Sequence, residues 1–235
     1  MTAHPCQESS REAFGDPSWL AIDGAYSYES ELFRPLRQCY QRRPIFPFVL
    51  FETIYEGEHE STPEQVRRQA WWAMLAGAGG QFLGNSPIWH FGGPGVFESK
   101  GTWQAALDSG GSRDIARLGK FFSALPWQDL VPDERNAFLT GGMGEGTATA
   151  LASKTRDGQL AVVYAPSTGT QVRELTIALG ALTPPASARW WNPTDGTSRP
   201  AHDGALPGQG AHTFRTPGDN GTQTNDWVLW IETEK

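Results

Sequence analysis

The sequence predicts two fold classes in series, an α/β part followed by an all-β part. Three observations point there. Short apolar runs alternate with helix-period segments over roughly the first 130 residues. Loops rich in polar and aromatic residues follow those runs, as expected of a parallel sheet or barrel. After Pro132 the helical period stops, and short alternating runs divided by Asp-Gly and Asn-Pro signals suggest an antiparallel sandwich. The division is expected at 137/138, giving parts 1–137 and 138–235.

The elements follow in order. Residues 19–22 (Trp19, Leu20, Ala21, Ile22) form an apolar strand ending at Asp23 and Gly24, with Tyr26 and Tyr28 just beyond. A short helix spans about 34–41, Pro35 fitting its first turn. The next strand, 46–52, is an apolar run that ends on Glu52. A buried strand that stops at a carboxylate is how a barrel enzyme presents an acid to its mouth. Thr62-Pro63-Glu64-Gln65 marks a helix start, with a hydroxyl N-cap, proline at the first position and Gln at the capping-box position. Val66, Ala70, Met74 and Gly77 lie on one face of that helix, which residues 77–80 break. A short strand over 81–85 and an aromatic loop, Trp89-His90-Phe91, come next. Gly92-Gly93-Pro94-Gly95 lacks the Lys-Ser/Thr ending of a phosphate loop and reads as a loop near the mouth. Ser112 then caps a helix with Ile115, Leu118, Phe122 and Leu125 inward.

In the all-β part, strands are expected over 147–154, 160–164, 172–179, 189–191 and 226–232. Asp157-Gly158 and the segment Asn192-Pro193-Thr194-Asp195-Gly196 supply hairpin turns.

Composition narrows the function. Of 235 residues, 38% are hydrophobic and 19% charged, the balance of a folded protein. Ten Trp residues suit either sugar-handling clefts or a large core. The net charge of −7 and the lack of a basic run argue against nucleic acid as a partner. No run approaches the ~18 apolar residues of a membrane span, and the first residues lack the basic start and apolar core of a signal peptide. Cys6 and Cys39 have no metal-ligand spacing and make no disulfide framework. No metal site and no cofactor are expected.

Glu52-Thr53-Ile54-Tyr55-Glu56-Gly57, then 66–72 (Val-Arg-Arg-Gln-Ala-Trp-Trp), then Gly77-Ala78-Gly79-Gly80, Gly84-Asn85 and Ile88-Trp89 occur in that order. In this the chain resembles the apiosidase-like glycoside hydrolases, whose catalytic domain is a (β/α)8 TIM barrel. The segments 190–196 and 226–229 resemble the small collagen-binding-type β-sandwich that follows that barrel. The resemblance implies that His4-Pro5 is the exit of barrel strand five and that the strands at 19, 46 and 81 are six, seven and eight. The chain then corresponds to the C-terminal half of the enzyme, and the acid/base carboxyl lies outside it. The remaining half, or self-association, would complete the barrel.

The resemblance also implies a retaining mechanism with Glu52 as the nucleophile and a carbohydrate as substrate, apiosyl linkages of pectin being one case. Glu56 stands open between contact with a sugar hydroxyl and a solvated loop charge. Tyr26 or Tyr28 is expected either to orient the nucleophile through its phenol or to pack with its tip wet. Tyr55, Asn85 and Trp89 complete the substrate-binding candidates: Trp89 for stacking or core packing, Asn85 for a sugar hydroxyl or a turn. Enzymes of this kind are exported, so a secreted or periplasmic parent is implied although this chain carries no signal peptide. The rival reading is a non-catalytic glycan- or matrix-binding fragment.

Overall fold

The computed structural model describes residues 1–91 and 101–233. The Gly92-Gly93-Pro94-Gly95 loop lies outside the described residues. Two compact units result, Met1–Gly119 and Lys120–Lys235.

In the first unit, β1 (Asp23–Tyr26) and β2 (Phe48–Glu52) pair in parallel. Asp23 faces Phe48 and Ala25 faces Leu50, and a register shift after Ala25 sets Tyr26 opposite Glu52. The strand expected at 19–22 begins instead at Asp23. Trp19 and Ile22 are exposed, and the backbone N–H groups of Ala21 and Ile22 donate to the Met1 carbonyl. Asp23, which reads as a terminator, is a buried strand residue because its carboxylate accepts from the Arg11 N–H at 2.9 Å and pairs with Arg42. Apolarity alone therefore misplaced the start.

Along β2, Phe48 and Leu50 are buried while Val49 and Phe51 are half-buried, so one face of the sheet is covered and the other is open. The strand expected at 81–85 is reduced to two isolated parallel bridges, Leu50 with Gln81 and Glu56 with Asn85. Gly84 explains part of this. A Cβ there would come within 2.2 Å of the Tyr55 ring, so the bare backbone is needed for a close approach that a regular ladder does not make.

Among the described residues, six helices accompany the pair. α1 (Ser10–Phe14) starts with a full capping box between Ser9 and Glu12. α2 spans Phe33–Gln41 and α3 spans Pro63–Leu75. Thr62 caps α3 by accepting from the Gln65 N–H at 3.2 Å. Trp71 and Trp72 on α3 are both fully buried, and the Phe33 ring meets Trp72 edge-on at 5.2 Å. The expected aromatic loop at 89–91 is instead the end of α4 (Ser86–His90), capped by the Asn85 side chain, with Phe91 left-handed at its C-cap. After α5 (Trp103–Ala106), α6 (Gly110–Ser123) begins two residues before Ser112. The cap is Ser109, whose Oγ accepts from the Ser112 N–H. A buried ion pair, Arg67 Nη1 to Asp114 Oδ2 at 2.5 Å, ties α3 to α6.

The second unit is antiparallel throughout. One sheet has the order β10-β7-β4, from Ala211–Arg215, Glu174–Ala178 and Leu139–Gly141. The other runs β3-β5-β6-β11-β8-β9, from Leu130–Pro132, Leu151–Thr155, Leu160–Ala165, Trp227–Thr233, Ala186–Trp191 and Ser198–Pro200. Since β3 pairs with β5, this sheet begins ahead of the 137/138 division. Buried residues of both sheets form one cluster, with Leu175, Ile177 and Phe214 from the smaller and Val163, Leu229 and Ile231 from the larger.

Both turn signals form turns. Asp157 Oδ1 accepts from the Gln159 N–H between β5 and β6, and Asn192 and Asp195 each accept from a backbone N–H two residues on between β8 and β9. The Asp226-Trp227 start of β11 also has a physical basis. Asp226 is fully buried and accepts from Tyr164, Asn220 and Thr224, while the Trp227 indole donates to the Gly218 carbonyl. Strands β9 and β10 lack an apolar alternation, Phe214 being their one buried residue, and composition passed over them.

Candidate functional site

Glu52 ends β2 with its side chain 15% exposed, protected yet reachable. The shift in register brings the loop after β1 over it. Tyr28 OH donates to Glu52 Oε1 at 2.9 Å, and the Ser27 N–H donates to the Glu52 carbonyl. The second carboxylate oxygen, Oε2, lies 3.0 Å from His4 Nε2. His4 is held by rings: Tyr26 at 5.1 Å and Phe51 edge-on at 5.9 Å, and Tyr26 in turn meets Tyr28 edge-on at 5.3 Å. Gly24 makes room, since a Cβ there would strike the Phe51 ring.

The phenols are set to act as donors. Burial, followed by interactions with Tyr26 and Glu52, pushes the Tyr28 phenol well above the usual tyrosine value. Tyr55 is raised by burial and then by the Glu52 charge. Burial raises Tyr26 as well. All three stay neutral near pH 7, and a neutral phenol is the form that donates a hydrogen bond to a carboxylate.

Beyond β2 the loop divides into two arms. In one, Trp89 Nε1 donates to Glu58 Oε1 at 3.1 Å and the ring meets Tyr55 edge-on at 6.4 Å. Trp89 remains 45% exposed, so a ring face is available. In the other, Glu56 is buried, not a solvated loop charge. Its Oε2 accepts from Ser109 Oγ at 2.6 Å and Asn85 Nδ2 at 3.1 Å, and its Oε1 accepts from the Gly111 N–H at 2.9 Å. That carboxylate sits in the first turn of α6, where the helix dipole favours it. Glu56 and Asn85 thus hold one another and join the loop to the starts of α4 and α6.

The structure brings Glu52, Tyr26 and Tyr28 together, pairs Tyr55 with Trp89, and pairs Glu56 with Asn85. His4 is the residue that sequence reasoning missed in this cluster. Its carboxylate partner, Glu52, is remote in sequence. The available signal was its place at an implied strand exit. Among the described residues no three His, Cys, Asp or Glu side chains group as a metal site, and no helix is long and apolar enough to cross a membrane. Cys6 and Cys39 are free thiols.

The fold is similar to those of solved glycoside hydrolases. One solved glycoside hydrolase superposes with a TM-score of 0.82 at 23% identity, covering 97% of this chain and 56% of that one. A glycoside hydrolase family 5 protein from Bacteroides vulgatus gives a TM-score of 0.83 at 22% identity, covering 97% and 54%. The chain therefore spans a little over half the length of either structure. Residues 1–129 match the family described as "Apiosidase-like, catalytic domain", and the chain belongs to that family. Residues 131–232 match the "Putative collagen-binding domain of a collagenase". No curated protein sequence matches.

Proposed function

We propose that this chain is the C-terminal portion of a retaining glycoside hydrolase acting on polysaccharide side chains, with Glu52 as nucleophile. The observation that carries this reading is the environment of Glu52: a strand-end carboxylate, with one oxygen bonded by the Tyr28 phenol and the other facing His4 Nε2. Two partners fix its orientation, as attack on an anomeric carbon requires.

In the first step Glu52 attacks the anomeric carbon and a carboxylic acid protonates the departing oxygen. In the second, that acid, now a base, takes a proton from water, which attacks the same carbon and frees Glu52. Tyr28 and His4 hold the carboxylate through both steps. Trp89 offers a face for a neighbouring sugar, with Tyr55 beside it. Of the nearby acids, Glu56 is occupied by three donors and Glu58 holds Trp89. We assign the proton donor to residues outside this chain, and apiosyl linkages to the range of substrates worth testing.

The β1–β2 pair and the bridged segment at 81–85 are read as barrel strands six to eight, and the second unit as a β-sandwich. The open sheet face, where Phe82 is 59% exposed against Phe51, supports completion by further strands. Those strands come from the other half of the barrel, or a second copy shields the face. Export of the parent protein follows from the polysaccharide substrate. The test is hydrolysis of aryl glycosides and pectic oligosaccharides by the longest reading frame that contains this chain. Activity abolished in Glu52→Gln supports the reading, and activity retained overturns it.

A second reading is favoured by the match at 131–232: a glycan- or matrix-binding fragment without catalysis. It predicts binding that survives Glu52→Gln with no hydrolysis in any longer frame.

A further inference from the structure

The segment ahead of α1 runs beside β1 as a parallel neighbour would, yet residues 1–5 form no strand. The Met1 carbonyl accepts from the Ile22 N–H at 3.3 Å. In a parallel ladder the next bond falls two residues on, from the Gly24 N–H to the Ala3 carbonyl. A side chain replaces that bond. The Gly24 N–H donates to Ser10 Oγ at 2.9 Å, and the Ser10 hydroxyl donates to the Ala3 carbonyl at 2.6 Å. The relay shifts the Ala3 carbonyl off the ladder line and against Gly24, where a Cβ would come within 2.7 Å of its oxygen. Ser10 is fully buried, so no water competes for either bond. The next residue pins Ser10 to β1 a second time, the Arg11 N–H donating to the buried Asp23 carboxylate at 2.9 Å.

We propose that Ser10 is a positioning residue for Glu52, acting through His4. Its part in catalysis rests on the glycosidase reading, whereas its hold on His4 does not. His4 follows Ala3 directly, and Gly24 stands two residues before Tyr26, whose ring packs on the imidazole at 5.1 Å. One hydroxyl thus clamps the two backbones that carry His4 and its supporting ring. Tyr26 and Phe51 orient the imidazole, while the relay sets where its backbone stands. From there Nε2 reaches Glu52 Oε2 at 3.0 Å. A direct ladder bond would return the Ala3 carbonyl to the sheet line and turn His4 with it. The competing account is that the hydroxyl only satisfies two buried backbone groups. That account predicts a less stable protein whose His4 still faces Glu52.

The test reads the contact between His4 and Glu52 directly. In the full chain, Glu52→Gln should move the His4 ring resonances in two-dimensional NMR spectra. The same substitution added to Ser10→Ala should move them at most about a third as far, because the contact it removes is already loosened. Ser10→Cys keeps a weaker donor and acceptor, and it carries the comparison where Ser10→Ala does not fold. In the longest active reading frame, Ser10→Ala should lower kcat about fivefold with KM unchanged, and less than about twofold when His4→Ala is also present. The inference is overturned if Glu52→Gln moves His4 equally in both backgrounds, or if kcat falls by the same factor with and without His4. An unchanged kcat, or a loss confined to KM, overturns it as well. The two readings fail separately. Hydrolysis that survives Glu52→Gln refutes the nucleophile, while the NMR comparison still decides whether Ser10 places His4.

Discussion

His4 Nε2 lies 3.0 Å from Glu52 Oε2, on the oxygen that Tyr28 leaves free. One carboxylate is therefore gripped from two sides by residues of two different loops. The contact is an ion pair whenever His4 is protonated, and His4 is 46% exposed, so solvent screens it. Its expected contribution is orientation. His4→Ala should lower kcat about tenfold in the active protein with KM nearly unchanged, the low end of what a hydrogen bond to a charged group is worth. A fall in KM-side binding with kcat intact would assign His4 to substrate instead.

Tyr28→Phe removes one neutral donor and little else, since the residue as a whole stays 37% exposed although its hydroxyl is shielded against Glu52. A drop of about 10–100-fold in kcat/KM is expected, with a melting temperature close to that of the parent. Steady-state kinetics beside thermal melts separate this from simple unfolding.

The raised phenols set a direction for stability in alkali. Tyr28 and Tyr55 bind their protons more tightly folded than unfolded. Their contribution is fully present below the unfolded tyrosine value of about 10 and is lost as pH rises above it. Denaturant midpoints should fall between pH 9 and pH 11, by the ~10 reference value, and fall less in the Tyr28→Phe, Tyr55→Phe double variant.

Glu56 should matter for folding. Glu56→Ala leaves the Gly111 N–H without this acceptor and removes one bond each from the Asn85 amide and the Ser109 hydroxyl, at an expected cost of about 2–4 kcal/mol. Gly111→Ala should be similarly harmful, because its Cβ would come within 2.4 Å of Glu56 Oε2. Urea unfolding measures both. A stable Glu56→Ala with a raised KM would return Glu56 to the substrate.

The Arg67–Asp114 pair joins α3 to α6 with both side chains almost fully buried. Asp114→Ala should destabilise the first unit by about 3–5 kcal/mol, since it removes one charged acceptor from a buried guanidinium.

Local chemistry was legible wherever partners are close in sequence. Thr62, Pro63 and Gln65 announced α3, and Asp157-Gly158 announced a hairpin, because caps and turns are built within four residues. The strand ending on Glu52 was legible for the same reason, its apolar run being continuous up to the carboxylate. Ser9 and Glu12 carried an equally plain capping box that went unread. What failed depended on distant partners. Asp23 became a strand residue through Arg11 and Arg42, Glu56 became buried through Ser109 and Gly111, and His4 entered the site through Glu52. No periodicity records such pairings. Strand β10 was missed because it buries Phe214 alone, too little for a pattern of period two.

Attack of Glu52 on the sugar is the proposed step from which the roles of Tyr28 and His4 follow. The most direct measurement is to treat the longest active reading frame containing this chain with a 2-deoxy-2-fluoro glycoside bearing a good leaving group, then locate the adduct by peptide mass spectrometry. One glycosyl group is expected on the peptide carrying Glu52, absent from Glu52→Gln. An active protein whose label sits on another carboxylate, or which turns over normally without Glu52, would contradict it.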